Sequence, residues 1–144
     1  MVVKLLKVYA QKTWSLFNLK VGILIITHSD IGKQLLLTAT SVFGKNPFQV
    51  ELLSVDNYDQ PDDVKELAEK YVNFLDNGSG VLVMTDIIGT TPSNIASSIN
   101  NKNIKIIAGL NLSMLLNVFN YPEDTLEKLA DRAVQGGVDG VSKV

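Results

Sequence analysis

The stretch VGILIITHSDIGKQLLLTATSVFG, residues 21–44, decides the fold of this chain. Its first seven residues, Val21 to Thr27, form an apolar, β-branched run without a charge, the pattern of a strand buried on both faces. The run stops at His28. Over residues 30–44, Ile31, Leu35 and Val42, with Leu36 and Ala39 between them, predict a helical stripe, and Gly44 closes it. A two-faced strand leading straight into a helix is the opening unit of a parallel α/β sheet.

The unit recurs along the chain. FQVELLSV (48–55) predicts a second strand, and the acidic linker DNYDQPDD (56–63) follows it. Pro61 stands near the start of a helix in which Val64, Leu67, Ala68, Tyr71, Val72 and Leu75 keep helical spacing and Gly78 marks the end. VLVMT (81–85) reads as a third buried strand and breaks off at Asp86. The loop DIIGTTPSN (86–94) leads into a short helix expected over residues 93–100, and IKIIAG (104–109) is the fourth strand. NLSMLLNVFN (111–120) and PEDTLEKLADRAVQGG (122–137) predict two more helices. Pro122 and acids stand at the front of the second, and Arg132 near its end, matching the helix dipole. The tail VDGVSKV (138–144) reads as a short antiparallel edge strand.

Composition narrows the chemistry. A chain of 144 residues suits one domain. It has no cysteine, which removes disulfides and thiolate chemistry, and its single histidine leaves no multi-histidine metal site within one subunit. No metal or cofactor is expected. A formal charge of −2 gives no basic field for nucleic acid. Residues 1–20 carry Lys4, Lys7, Lys12 and Lys20 and no acid. They read as a peripheral extension, with a membrane-surface anchor as the competing reading, ahead of a single domain at 21–144. No stretch has the length of a membrane span or the pattern of a signal peptide, so the expected location is the cytoplasm.

Ligands of parallel sheets bind outside the carboxyl ends of the strands, where the strand order reverses. In a doubly wound, flavodoxin-like order 2-1-3-4, His28 and Asp86 end neighbouring strands beside that switch point. A neutral imidazole nitrogen there is a nucleophile toward a phosphoryl donor, and a carboxylate on the other ring nitrogen fixes its tautomer. The plainer reading of Asp86 is a loop or helix cap. Gly89, Thr90 and Thr91 precede a helix and offer N–H groups and hydroxyls to a phosphate, or form an ordinary loop. There is no Walker lysine motif and no glycine-rich dinucleotide fingerprint.

These blocks together resemble a known family. Thr27-His28 after a strand, then Thr85-Asp86-Ile87-Ile88-Gly89-Thr90-Thr91-Pro92-Ser93-Asn94, then Ala108-Gly109-Leu110-Asn111-Leu112-Ser113-Met114-Leu115-Leu116, are similar to mannose-type enzyme IIA of the phosphoenolpyruvate-dependent sugar phosphotransferase system. The resemblance runs from about residue 20 to the end. It implies that His28 takes phosphate on Nε2 from the histidine phosphocarrier protein (HPr) and passes it to a IIB component, with no direct contact to sugar. It further implies Asp86 as the orienting partner of His28, Thr91 as a phosphoryl ligand, and a homodimer exchanging a carboxyl-terminal strand.

The departures are Ser29 where a glycine commonly follows the histidine, Thr90 where a second glycine is usual, and Ser113 for a proline. Residues 1–20 have no counterpart, and the absence of a following IIB segment implies a stand-alone carrier. The competing functions are a regulatory phosphorylation-state sensor of the same family, a non-catalytic anion-binding module, and a phosphotransfer subunit serving dihydroxyacetone kinase, which the TTPSN and NLSMLL blocks disfavour.

Overall fold

A computed structural model of the chain describes residues 19–144. The expected extension at 1–20 therefore lies, apart from Leu19 and Lys20, outside the described residues. Four strands, β1 (Gly22–His28), β2 (Val50–Val55), β3 (Val81–Thr85) and β4 (Ile104–Ala108), form one parallel sheet in the order β2-β1-β3-β4. The helices are α1 (Ile31–Phe43), α2 (Pro61–Leu75), α3 (Thr91–Ser98), α4 (Leu112–Phe119) and α5 (Leu126–Asp139). This is the doubly wound α/β architecture expected from the runs of buried residues. None of the helices among the described residues is long and apolar enough to cross a membrane.

Strand alternation sorts the core into two layers. Ile23, Ile25, Leu82 and Met84 face α1, α4 and α5, where Ala39, Met114, Leu115, Val118, Phe119, Leu129 and Ala133 close over them. Leu24, Ile26, Val81 and Val83 face α2 and α3, against Val64, Ala68, Val72, Leu75, Ile95 and Ala96. Ile23 to Ile26 are each 1% exposed or less. Such burial on both sides is why β1 and β3 have no polar alternation, and it makes each of these side chains worth about 1.5–3 kcal/mol of transfer free energy.

The inward face of α1 is not the one its isoleucine and valine suggest. Ile31 and Val42 are 48% and 64% exposed. Gly32 and Ala39 are buried instead, with Leu35, Leu36 and Phe43 partly buried beside them. The stripe 32-35-36-39-43 keeps helical spacing only if Gly32 counts as a packing residue. A Cβ at Gly32 would stand 2.6 Å from Cγ2 of Ile25 and 3.0 Å from Oγ1 of Thr27. That contact sets how closely the start of α1 approaches β1.

The carboxyl-terminal region departs from expectation. Residues 122–125 form a turn, with the Asp124 N–H donating to the Tyr121 carbonyl at 3.1 Å, and α5 begins only at Leu126. The tail expected as an edge strand instead continues α5 through Asp139, and residues 141–144 have no regular structure. Gly136, Gly137 and Gly140 explain the continuation: each lies where a Cβ would collide with Asn117, Met114 or Ser113 of α4. These glycines are what lets α5 run close against α4. Ser113, at the usual proline position, is one of those close neighbours.

Candidate active site

The strand order brings the carboxyl ends of β1 and β3 side by side, with Ile26 paired to Thr85. Asp86, one residue beyond Thr85, thus reaches His28. Its Oδ2 lies 2.8 Å from Nδ1 of the ring and also accepts the backbone N–H of His28 at 2.9 Å. Its Oδ1 accepts the N–H of Ile87 at 2.9 Å. The Asp86 side chain is 8% exposed and that of His28 38%. One oxygen therefore grips both the main chain and the ring of His28, and the nitrogen left unengaged by Asp86 is Nε2.

Burial works against ionisation of Asp86. The backbone N–H of His28, its ring, the N–H of Ile87 and the charge that the ring carries when protonated outweigh it, and hold the carboxyl below its usual pKa. The sign of the linkage follows: a depressed carboxylate adds stability above its unfolded pKa of about 4, and that contribution disappears as pH falls through the lower folded value. Asp86→Asn is expected to be less stable than the native chain at neutral pH. The difference should shrink in acid below about pH 4, as followed by urea unfolding across pH. A difference that does not change with pH would show that the Asp86 charge plays no part.

The turn after His28 is locked from below. Oγ1 of buried Thr27 accepts the N–H of Gly32 at 2.9 Å, fastening the first turn of α1 to the strand end. Ser29 bridges the two with φ +44°, the left-handed region that glycine enters most freely. Its N–H donates to the carbonyl of Val55 on β2 at 3.2 Å, which holds it there. The serine at this usual glycine position thus carries backbone strain. Thr90 does not, since its φ of −102° and ψ of 174° are ordinary extended backbone.

Gly89, at φ +79°, makes the left-handed turn of the loop, and a Cβ there would meet nothing within 4 Å. The Thr90 hydroxyl donates to the carbonyl of Ile87 at 2.7 Å, so its proton is already used inside the loop. Thr90 is also the N-cap of α3, which starts at Thr91, two residues before the expected start. Thr91 is exposed and borders a surface groove with Pro61, Asp62 and Lys65 of α2. His28 and Asp86 are in contact; the described hydrogen bonds join neither Thr90 nor Thr91 to His28. Alternation places His28 on the same side of the sheet as Leu24 and Ile26, the side carrying α3, whose first turn has N–H groups without helical acceptors.

Sequence reading missed the Thr27–Gly32 lock and the double grip of Asp86. Their signals were a hydroxyl residue inside an otherwise apolar strand and an aspartate directly ending its neighbour.

The comparisons with known proteins agree with this architecture. The profile of the EIIA-man family, described as PTS system fructose IIA component, matches residues 22–134. The PTS system mannose-specific EIIAB component of Escherichia coli (strain K12) is 31% identical over 128 residues, covering 84% of this chain and 38% of that protein. This chain thus spans well under half the length of the curated relatives it matches. The mannose/sorbose specific IIA subunit of the phosphotransferase system from Enterococcus faecalis has a TM-score of 0.76 at 21% identity, over 87% of this chain and 95% of that one. The PTS IIA protein associated with the fucose utilization operon from Streptococcus pneumoniae has a TM-score of 0.73 at 24% identity, over 88% and 94% of the two chains. At those identities the structures show a common fold, whereas the profile match over most of the chain shows descent: this chain belongs to the EIIA-man family of IIA components of the sugar phosphotransferase system.

Proposed function

We propose that the chain carries phosphate on Nε2 of His28, taking it from HPr and passing it to a IIB component. The observation that carries this reading is the 2.8 Å contact between Nδ1 of His28 and Oδ2 of Asp86. With its proton on Nδ1 and donated to the carboxylate, the neutral ring keeps its lone pair on Nε2. That pair forms the new N–P bond while the electrons of the donor's N–P bond return to the donor's nitrogen. Positive charge growing on the ring is met by Asp86. Gly89, Thr90 and Thr91 line the approach of the phosphoryl oxygens, which the free N–H groups at the start of α3 are suited to receive. The residues invoked need neither metal nor cofactor, and no sugar binds to this chain.

The test is a reconstituted relay of enzyme I, phosphoenolpyruvate and HPr. The expected result is one phosphoryl group per chain, discharged when a IIB partner is added. A chain that acquires none, or keeps it in the presence of IIB, would overturn the reading.

We further propose a cytoplasmic homodimer. Among the described residues, no strand pairs with the outer edge of β4. Beside it lies an apolar groove lined by Ile107, Met114, Val134, Val138 and Val141, where a second copy would bury apolar surface. Sedimentation is expected to give a dimer, and removal of residues 141–144 to weaken it. A full-length monomer at micromolar concentration would refute the assembly.

A further inference from the structure

Leu19 and Lys20 fix where the chain ahead of them leaves the domain. The carbonyl of Leu19 accepts the Ser79 hydroxyl at 3.1 Å, and that of Lys20 accepts Nδ2 of Asn77 at 3.0 Å. Nζ of Lys20 also lies 3.2 Å from Oε1 of Glu123. The exit is thus tied to the loop after α2, at the amino edge of the sheet and opposite His28. Phe74, in the last turn of α2 and 65% exposed, stands next to that loop. It ends a stripe at helical spacing with half-buried Tyr71 and with Leu67, itself 37% exposed.

The stripe lies on the flank of α2 that overlooks β2. Pro61, Asp62 and Lys65 border α3 on the opposite flank, whereas Asp63 and Leu67 share a groove with Leu53, Tyr58 and Asp59. Among the described residues, no strand pairs with the outer edge of β2. Carboxylates frame this surface. Asp59 and Asp63 stand at its end nearer the carboxyl edge of the sheet, and alternation sets Glu51 on the same face of β2 as Leu53. None of the three has a salt-bridge partner among the described residues. Lys70 beside them is engaged by Glu66 at 2.8 Å. An apolar strip framed by unpaired acids fits a segment that is itself apolar and basic.

We propose that residues 1–18 pack back on their own domain, along the groove between α2 and the edge of β2. Their sequence matches that surface in both respects. Leu5, Leu6, Tyr9, Trp14, Leu16 and Phe17 supply apolar side chains, and Lys4, Lys7 and Lys12 are the only charged ones. Their length matches as well. Even at the rise of a helix the segment reaches about 27 Å, against about 22 Å for the 15 residues of α2. Trp14 and Phe17 then come level with Phe74, and Lys4 and Lys7 with Asp63 and Asp59. The tether at Leu19 holds the segment beside Phe74 at an effective concentration that a separate partner does not reach. Packed there, it covers a strand edge that otherwise offers its backbone groups to other chains.

Trp14 is the one tryptophan of the chain, so its fluorescence reports on this segment alone. The experiment measures its emission and its quenching by acrylamide in the full-length chain, beside a peptide of residues 1–20. The chain is expected to emit further to the blue and to be roughly threefold less quenchable than the peptide, from nanomolar to micromolar concentration. Phe74→Ser should remove most of that protection while thermal unfolding stays cooperative, since Phe74 lies outside both core layers. Lys4→Gln combined with Lys7→Gln should weaken the protection at low salt and flatten its dependence on salt. A Trp14 as quenchable as in the peptide, or equally shielded in Phe74→Ser, would overturn the proposal. So would protection that disappears on dilution, which assigns the groove to a second copy. Protection that needs phosphatidylserine vesicles would overturn it too, and assign the segment to a lipid surface.

Discussion

His28→Ala is expected to gain no phosphoryl mass in a relay that loads the native chain fully. The native adduct should be lost in acid and survive alkali, as an N–P bond does and a phosphoserine or phosphothreonine does not. The chain has one histidine and no cysteine, so no second imidazole and no thiolate can take the phosphoryl group. The ring is 38% exposed at the end of β1, outside both core layers, and its backbone N–H remains available to Oδ2 of Asp86 after substitution. The variant should therefore fold, with loss of stability limited to about 1 kcal/mol for the ring hydrogen bond. Intact mass spectrometry reads the result directly. A variant that still takes up phosphate would place the acceptor elsewhere and remove the basis of the proposed function.

The fold was legible because a parallel sheet covered on both faces forces its strands to be uninterrupted apolar runs. VGILIIT and VLVMT have that form, and β1 and β3 are the two most deeply buried strands. The position of the candidate site followed from the same fact, since strands that end sharply at His28 and Asp86 must place both at the carboxyl edge. What remained hidden depended on glycine. Gly32 has no side chain to register as apolar, so the stripe of α1, correct at Leu35, Leu36 and Ala39, was begun at the exposed Ile31. Gly136, Gly137 and Gly140 signal a helix stop in isolation, and only the approach of α4 reveals them as contact residues. The Asp86 grip joins groups 58 residues apart in sequence, and no local pattern encodes which of its oxygens meets which donor.

That grip makes Asp86→Asn the most discriminating substitution in the site, with transfer expected to slow by roughly tenfold to a thousandfold. The native carboxylate accepts three times, from the backbone and ring of His28 through Oδ2 and from Ile87 through Oδ1. An asparagine has one accepting oxygen. If that oxygen takes the place of Oδ2, its NH₂ group faces the N–H of Ile87, donor against donor. If it takes the place of Oδ1, the NH₂ group faces both the backbone N–H and the ring of His28. The ring would then accept at Nδ1 and carry its proton on Nε2, the tautomer that cannot attack phosphorus. Either orientation also removes the negative charge that balances the ring as the N–P bond forms. The first orientation keeps the tautomer and loses only the charge, giving the smaller end of the range; the second loses both. Rapid-quench transfer from HPr measures the rate, and ¹⁵N chemical shifts of the single imidazole identify which nitrogen is protonated. Transfer within twofold of the native rate, with the tautomer unchanged, would reduce Asp86 to a residue that closes a loop.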